Sequence, residues 1–351
     1  MKKLLLFICI SLISASAFSQ WQWLNPLPTG NTLHSVCFTD TSTGYAVGEC
    51  GTILKTTDGG THWTNQISGT SNWLYSVYFV DSNTGYVVGD SGKILKTING
   101  GVTWTSQTSG TLYWLNSVYF TDVNTGYVVG AWGTILKTTN GGNLWTNQTS
   151  GTFYWLNLYS VYFTDAYTGY AVGDLGTILK TTNGGTLWAT QTSGSLKTIH
   201  SIYFTDPNLG FAVGDSGTIL KTTNGGNLWT SETSGTTGDL FSVYFPNAST
   251  GYAVGDWGII LKTTDGGTHW TKQISGTNVN WLYSVYFTEA NIGYVIGDIS
   301  TILKTIDGTN WTRCLSMARI WNYSYPLGIK KNFWIFFHGI APQQLLKSFV
   351  C

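Results

Sequence analysis

The feature that most constrains the fold is an internal repeat of about 41 residues. A motif T-x-[DN]-G-G-x-x-W occurs seven times, the last copy one residue short, and its tryptophans are separated by 41, 41, 43, 41, 41 and 41 residues. The motif contains an acid or amide (Asp58, Asn99, Asn140, Asn183, Asn224, Asp265, Asp307) and a tryptophan (Trp63, Trp104, Trp145, Trp188, Trp229, Trp270, Trp311). Such self-similarity indicates an architecture built from one repeated unit.

Each unit is typical of four short strands. In the second unit we predict strands at Ser76–Val80, Gly85–Gly89, Lys93–Thr97 and Thr103–Gln107, separated by turns rich in Gly, Asn and Asp. Seven four-stranded units predict an all-β, seven-bladed β-propeller. The composition agrees, because 43 Gly, 17 Trp and 20 Tyr with only 10% charged residues disfavour both a helical bundle and disorder.

Three segments differ in composition. In residues 1–19, two lysines precede an apolar run and then small residues, which predicts a signal peptide and therefore an extracellular, cell-surface or periplasmic protein. Residues 20–313 form the predicted propeller. Residues 314–351 lack the repeat and contain no acid, so we interpret them as an out-of-frame tail, with a divergent native extension as the alternative.

Two segments could supply the fourth strand of the last blade and so close the ring. Trp21–Pro28 resembles an isolated fourth strand, so the chain offers eight fourth strands for seven places. Because the last motif is one residue short, we predict that Trp21–Pro28 closes the ring by pairing with the last blade and that Thr309–Arg313 is displaced. Such pairing would remove a free sheet edge.

The charge distribution excludes one class of partner. Residues 20–313 contain 11 basic and 17 acidic side chains, so a nucleic-acid-binding surface is not expected. A lysine recurs in every unit, six residues after an acid in all units but one, where Ala131 replaces the acid. These residues could form a charged ring facing a ligand, or the lysine could be a structural latch, which we favour.

Enzymatic chemistry has little support in the sequence. Only two arginines follow the signal peptide, Arg313 and Arg319, whereas a sialidase needs an arginine cluster to hold its substrate carboxylate. No C-x-x-C or His/Cys cluster occurs, so we predict neither a metal nor a cofactor. We assign no catalytic residue, and a glycoside hydrolase that uses two turn carboxylates is the alternative function.

Aromatic residues favour a binding function instead. The turn between the second and third strands and the linker to the next blade should share one face, where the sequence varies most. The candidate binding residues on this face are Trp73, Trp114, Trp132, Trp155, Trp257 and Trp281. The alternative is that Trp73, Trp114, Trp155 and Trp281 begin first strands and pack between blades.

The repeat also resembles a known family. The recurring G-Y-A-V-G-D-x-G-T-I-L-K-T-T-[DN]-G-G-x-x-W, of which Gly251–Trp270 is a copy with Ile259 in place of Thr, is similar to BNR (Asp-box) repeats. Over residues 20–313 the chain resembles the photosystem II assembly/stability-factor family of seven-bladed propellers. This resemblance implies a non-catalytic scaffold. We therefore expect an exported, monomeric propeller without a transmembrane segment that binds a protein or glycan ligand.

Overall fold

The computed structural model describes residues 29–152, 155–277 and 280–314. They form seven antiparallel sheets of four strands, each built from strands that are consecutive in the chain, so the predicted all-β, seven-bladed β-propeller is confirmed. The predicted signal peptide, Trp21–Pro28 and residues 315–351 lie outside the described part of the chain. Within that part, none of the helical segments is long and apolar enough to cross a membrane.

The inner half of each blade is its most buried part. First strands touch the first strands of neighbouring blades and so surround the central axis; they are Leu33–Phe38, Leu74–Phe79, Leu115–Phe120, Leu158–Phe163, Ile199–Phe204, Leu240–Tyr244 and Leu282–Phe287. Second strands follow a G-[YF]-[AV]-[VI]-G pattern and are buried on both faces between adjacent blades; they are Gly44–Gly48, Gly85–Gly89, Gly126–Gly130, Gly169–Gly173, Gly210–Gly214, Gly251–Gly255 and Gly293–Gly297.

The outer half of each blade becomes progressively exposed. Third strands bury Ile, Leu and Thr and leave a lysine half-buried; they are Ile53–Thr56, Ile94–Thr97, Ile135–Thr138, Ile178–Thr181, Thr218–Thr222, Ile260–Thr263 and Thr301–Thr305. Fourth strands are short and polar, which limits edge-to-edge association at the rim; they are Thr64–Gln66, Thr105–Gln107, Thr146–Gln148, Ala189–Gln191, Thr230–Glu232, Thr271–Gln273 and Thr312–Arg313.

A short 3-10 turn joins the second and third strands of the first six blades. These turns are Glu49–Gly51, Asp90–Gly92, Ala131–Gly133, Asp174–Gly176, Asp215–Gly217 and Asp256–Gly258. Their middle residues have φ between 53° and 60°, a left-handed conformation in which a non-glycine side chain is uncommon. The turn therefore displays one side chain per blade on the surface.

The hydrophobic core lies between blades rather than within them. For example, Tyr45, Val47 and Ile53 of the first blade pack against residues of the second blade that include Phe79 and Trp104. Equivalent clusters fill the other interfaces, including the one between the last blade and the first. Each blade is thus stabilised by both of its neighbours, as in other radial repeats.

The last blade corrects one prediction. Thr312 and Arg313 pair with Lys304 and Leu303, so this segment supplies the fourth strand and is not displaced. The shortened motif still forms a turn because Asp307 Oδ1 accepts hydrogen bonds from the backbone N–H groups of Thr309 and Asn310, at 2.8 and 2.7 Å. Side chains of the last blade also bond directly to the first, as when Tyr286 donates to the Phe38 carbonyl at 3.0 Å.

Candidate functional site

The propeller has two chemically different faces. Gly59 in the Asp-box turn donates to the Ser42 carbonyl at 2.9 Å, which joins the Asp-box turn to the turn between the first and second strands. We call this side the Asp-box face. On the opposite side, Gly51 donates to the Asn72 carbonyl at 2.9 Å and joins the 3-10 turn to the linker between blades. We call that side the linker face.

The Asp-box residues hold their own turns. Asn99 Oδ1 accepts hydrogen bonds from the Thr97 hydroxyl at 3.0 Å and from the Thr103 backbone N–H at 2.9 Å, and Trp104 is buried beside Phe79. In two copies a histidine follows, and His62 and His269 pair with Asp58 and Asp265. These short side chains stabilise the turn by satisfying its backbone donors.

The recurring lysines bond to the next blade on the Asp-box face. Lys55 Nζ donates to the Gly100 carbonyl at 2.6 Å and lies 5.4 Å from the centre of the Tyr45 ring, while the Tyr45 hydroxyl donates to the same carbonyl at 2.8 Å. The corresponding bond from the last blade runs from Lys304 to Gly59. Among the described residues the ion pairs are all His–Asp pairs, so the lysines do not face the repeated acids.

A collar of tyrosines lines the central channel near the Asp-box face. Successive ring centres are 5.0–5.3 Å apart, and each hydroxyl donates to a phenylalanine carbonyl of the next blade. Its members are Tyr78, Tyr119, Tyr162, Tyr203, Tyr244 and Tyr286. Cys37 takes the seventh position, and burial raises the pKa of its thiol to about 11.

The linker-face end of the channel combines aromatic rings with carboxylates. Here the first strands contribute His34, Tyr75, Asn116, Tyr159, His200, Phe241 and Tyr283. The acid of the 3-10 turn often serves two partners: Asp174 accepts from the Tyr159 hydroxyl at 3.0 Å through one oxygen and from the Asn157 backbone N–H at 2.9 Å through the other. The acids therefore anchor linkers as well as facing the channel.

Among the described residues, two buried side-chain atoms at this end lack a hydrogen-bond partner. One is Asp256 Oδ1, because the first strand of the same blade places Phe241, which has no hydrogen-bond donor, at this end of the channel. Burial raises the pKa of Asp256, and the nearby negative charge of Asp239 raises it further. The other is His34 Nε2, and burial lowers the pKa of His34 to about 4. Sequence reasoning missed both because the partner positions lie 15 residues apart and contact only in the folded blade.

The candidate tryptophans all lie on the linker face with substantial exposure. Trp73, Trp114 and Trp281 immediately precede first strands and are 41–58% exposed, and Trp73 and Trp281 also lie beside His34 and Phe241 of the neighbouring blades. Trp132 and Trp257 occupy the left-handed position of their 3-10 turns and are 50% and 61% exposed. Trp155 lies in the longest linker, three residues before its first strand, and is also exposed.

Several of these tryptophans pair with other rings. Trp132 stacks on Tyr113, with ring centres 5.8 Å apart, and Trp281 lies 6.0 Å from Phe241. Tyr113 belongs to the aromatic residues that the sequence places on this face, one position before Trp114. Within the described ranges, no group of three or more His, Cys, Asp or Glu side chains could hold a metal ion.

Comparison with solved structures identifies the same propeller in other proteins. YCF48 from Cyanidioschyzon merolae matches with a TM-score of 0.68 at 21% identity, covering 80% of this chain and 97% of that one. A structure of YCF48 bound to D1 peptide matches with a TM-score of 0.68 at 20% identity, covering 80% of this chain and 93% of that one. At these identities the similarity shows the fold alone.

Glycoside hydrolases of family GH74 share the fold as well. The Niastella koreensis GH74 enzyme matches with a TM-score of 0.70 at 18% identity, over 83% of this chain and 55% of the enzyme. The GH74 xyloglucanase from Xanthomonas campestris matches with a TM-score of 0.68 at 12% identity, over 82% of this chain and 53% of the enzyme. This chain thus spans about half the length of these enzymes.

Sequence comparison decides the family. No curated protein matches the chain significantly. The sequence model of the family described as photosynthesis system II assembly factor YCF48 matches residues 13–70, 66–151 and 188–277, which together make up more than half of the chain. The chain therefore belongs to the photosynthesis system II assembly factor YCF48 family.

Proposed function

We propose that this chain is an exported, non-catalytic scaffold that binds a protein or glycan ligand through its linker face. The observation that carries the proposal is the set of six exposed tryptophans, all on that face. Exposing large aromatic rings to water is unfavourable, and such rings are enriched on surfaces that a partner covers. On the Asp-box face, by contrast, the lysines and tyrosines are occupied by bonds between blades.

The architecture suits a binding role because the face is held rigidly. Each 3-10 turn is bonded through its backbone to the preceding linker, and the acids Glu49, Asp174 and Asp256 also accept a hydrogen bond from a linker N–H, as in the Asp174–Asn157 contact. Rigid display of aromatic side chains reduces the entropy lost when a ligand binds. A YCF48 structure holds a D1 peptide, which supports a peptide as one class of ligand for the family.

A glycoside hydrolase is the alternative, and one observation favours it. Hydrolysis of a glycoside needs one carboxyl group with a raised pKa and a second carboxylate, and Asp256 with Asp239 offers such a pair. However, Asp256 Oδ2 accepts from the Asp239 backbone N–H at 3.2 Å, and Asp239 Oδ1 accepts from the Ser216 backbone N–H at 2.7 Å. Both carboxylates are engaged in holding the turns, so we favour binding.

The test is an array of peptides and glycans probed with the full chain and two matched variants. One variant replaces Trp114 and Trp281 by Ser on the linker face, and the other replaces the exposed Leu144 and Leu187 by Ser on the Asp-box face. We expect the first variant to lose the retained ligands and the second to keep them.

The same protein should be assayed on chromogenic glycosides. We expect no turnover, because the carboxylates near Asp256 anchor backbone groups. Turnover that disappears in Asp256→Asn, while the variant keeps the melting temperature of the parent, would establish the hydrolase and overturn the proposal.

A further inference from the structure

The third blade departs from the repeat at several positions that lie together on the linker face. Ala131 replaces the acid found in the corresponding turn of the other blades, and Trp132 follows it in the left-handed position. Tyr113 stands opposite Trp132 in the preceding linker, and the linker that follows the blade is the longest, one residue longer than the linker after the sixth blade and two longer than the rest. In a ring of near-identical units, this convergence marks one blade as specialised.

Tyr113 and Trp132 line a groove of about 720 Å³ between the two linkers that flank the third blade. One wall carries the stacked Tyr113 and Trp132 rings, which are 48% and 50% exposed. The lining also includes Asn147 and Gln148 of the fourth strand and residues 149–152 of the following linker. The volume falls within the range of sites that hold small organic ligands.

The lining of the groove is polar but uncharged. Apart from the aromatic wall, its side chains are mainly hydroxyl and amide groups: Ser109, Thr111, Thr134, Asn147, Gln148, Thr149, Ser150 and Thr152. These groups both donate and accept hydrogen bonds, whereas a charged ligand would find no opposite charge among the lining residues. Neutral sugars present the matching surface, with C–H groups that pack on aromatic faces and hydroxyls that bond to amides.

We propose that the third-blade groove, between Tyr113–Trp132 and Asn147–Gln148, binds a neutral oligosaccharide. The inference rests on the proposed function only in using the same face of the propeller.

The fourth blade supplies a matched control. Leu175 occupies the same turn position as Trp132 with φ of 53° and a similar exposure, 51%, and it is not among the residues that line the groove. Serine fits this backbone position, since Ser91 and Ser216 occupy it with φ of 54° and 56°. Trp132→Ser and Leu175→Ser therefore each remove a large exposed side chain from the same turn position, the first beside the groove and the second in another blade.

The experiment titrates the full chain and both variants with cello-, xylo-, manno- and malto-tetraose in a calorimeter, at low and high salt. We expect at least one sugar to bind, with an affinity that salt does not alter. Trp132→Ser should weaken that affinity about tenfold or more, while Leu175→Ser leaves it unchanged.

Two results would overturn the inference. One is that none of these sugars binds, and the other is that Trp132→Ser binds them as well as the parent chain does. If a peptide from the array binds and is lost in Trp132→Ser while no sugar binds, the groove is a peptide site: the oligosaccharide inference fails and the proposed scaffold function stands.

Discussion

Replacing Tyr294 by Phe and Lys304 by Met removes two hydrogen bonds that the last blade donates to the first. Both side chains donate to the Gly59 carbonyl, at 2.8 and 2.6 Å, and Gly59 is buried. Phenylalanine fits the tyrosine position, because Phe211 occupies it in the fifth blade. The double variant therefore tests whether the ring is closed without introducing a new clash.

The expected loss follows from the two bonds. A hydrogen bond between uncharged groups contributes about 0.5–1.5 kcal/mol net, and one from a charged donor contributes about 1.5–3 kcal/mol. Because Lys304 is only half-buried, we take the lower part of the second range, which gives a total of about 2–4 kcal/mol. The Gly59 carbonyl also loses its side-chain donors.

An internal interface provides the control. Tyr127 and Lys137 donate to the Gly184 carbonyl with the same distances, 2.8 and 2.6 Å. In urea unfolding, we expect Tyr294→Phe/Lys304→Met and Tyr127→Phe/Lys137→Met to lower the free energy of unfolding by equal amounts. If the internal pair is destabilising and the closure pair has no effect, the first and last blades are not joined and the closed ring is wrong.

Three further predictions concern the packing between blades and the channel mouth. Trp188→Ala should lower the free energy of unfolding by about 3–5 kcal/mol, because its buried ring fills the space beside Phe163; a loss below 1 kcal/mol in urea unfolding would contradict this packing. Gly89→Ala should lower the urea midpoint, because a Cβ there would collide with the Trp73 carbonyl, and an unchanged midpoint would refute that close approach. Burial lowers the pKa of His34 to about 4, so the folded state favours the neutral form of this side chain. The free energy of unfolding should therefore be highest above pH 6.5 and decrease as the pH falls towards 4. In urea unfolding measured at several pH values, His34→Phe should reduce this dependence on pH.

Much of the blade could be predicted from the sequence because seven copies of one unit show which strand and turn positions recur. In the second blade the observed strands Leu74–Phe79, Gly85–Gly89, Ile94–Thr97 and Thr105–Gln107 lie within two residues of the expected bounds. The Gly-Gly turn and the alternation of buried side chains are local signals, so they were readable in one unit and reinforced by the other six.

Features that depend on distant partners were not predictable in the same way. The displaced ending expected for Thr309–Arg313 assumed that a missing residue breaks the turn, whereas Asp307 caps the shorter turn with two backbone bonds. The double role of Asp174 was also hidden, because it joins Tyr159 and Asn157 across a folded hairpin.

The candidate groove shows the same limit on sequence reasoning. Trp132 was singled out by its turn position, but its stacking on Tyr113 requires the preceding linker to run alongside the turn. The uncharged lining likewise emerges only when two linkers and a fourth strand meet. Comparison of the repeats could thus identify Trp132 as an unusual side chain, but it could not identify the residues that surround Trp132 in the folded protein.

The central claim is that ligands bind the linker face. Hydrogen–deuterium exchange of the full chain, with and without a ligand retained on the array, tests it most directly. We predict slower exchange in the 3-10 turns and the linkers that carry Trp114, Trp132 and Trp257, with the Asp-box turns unchanged. Protection confined to the Asp-box turns, such as residues 97–104 and 138–145, would contradict the claim.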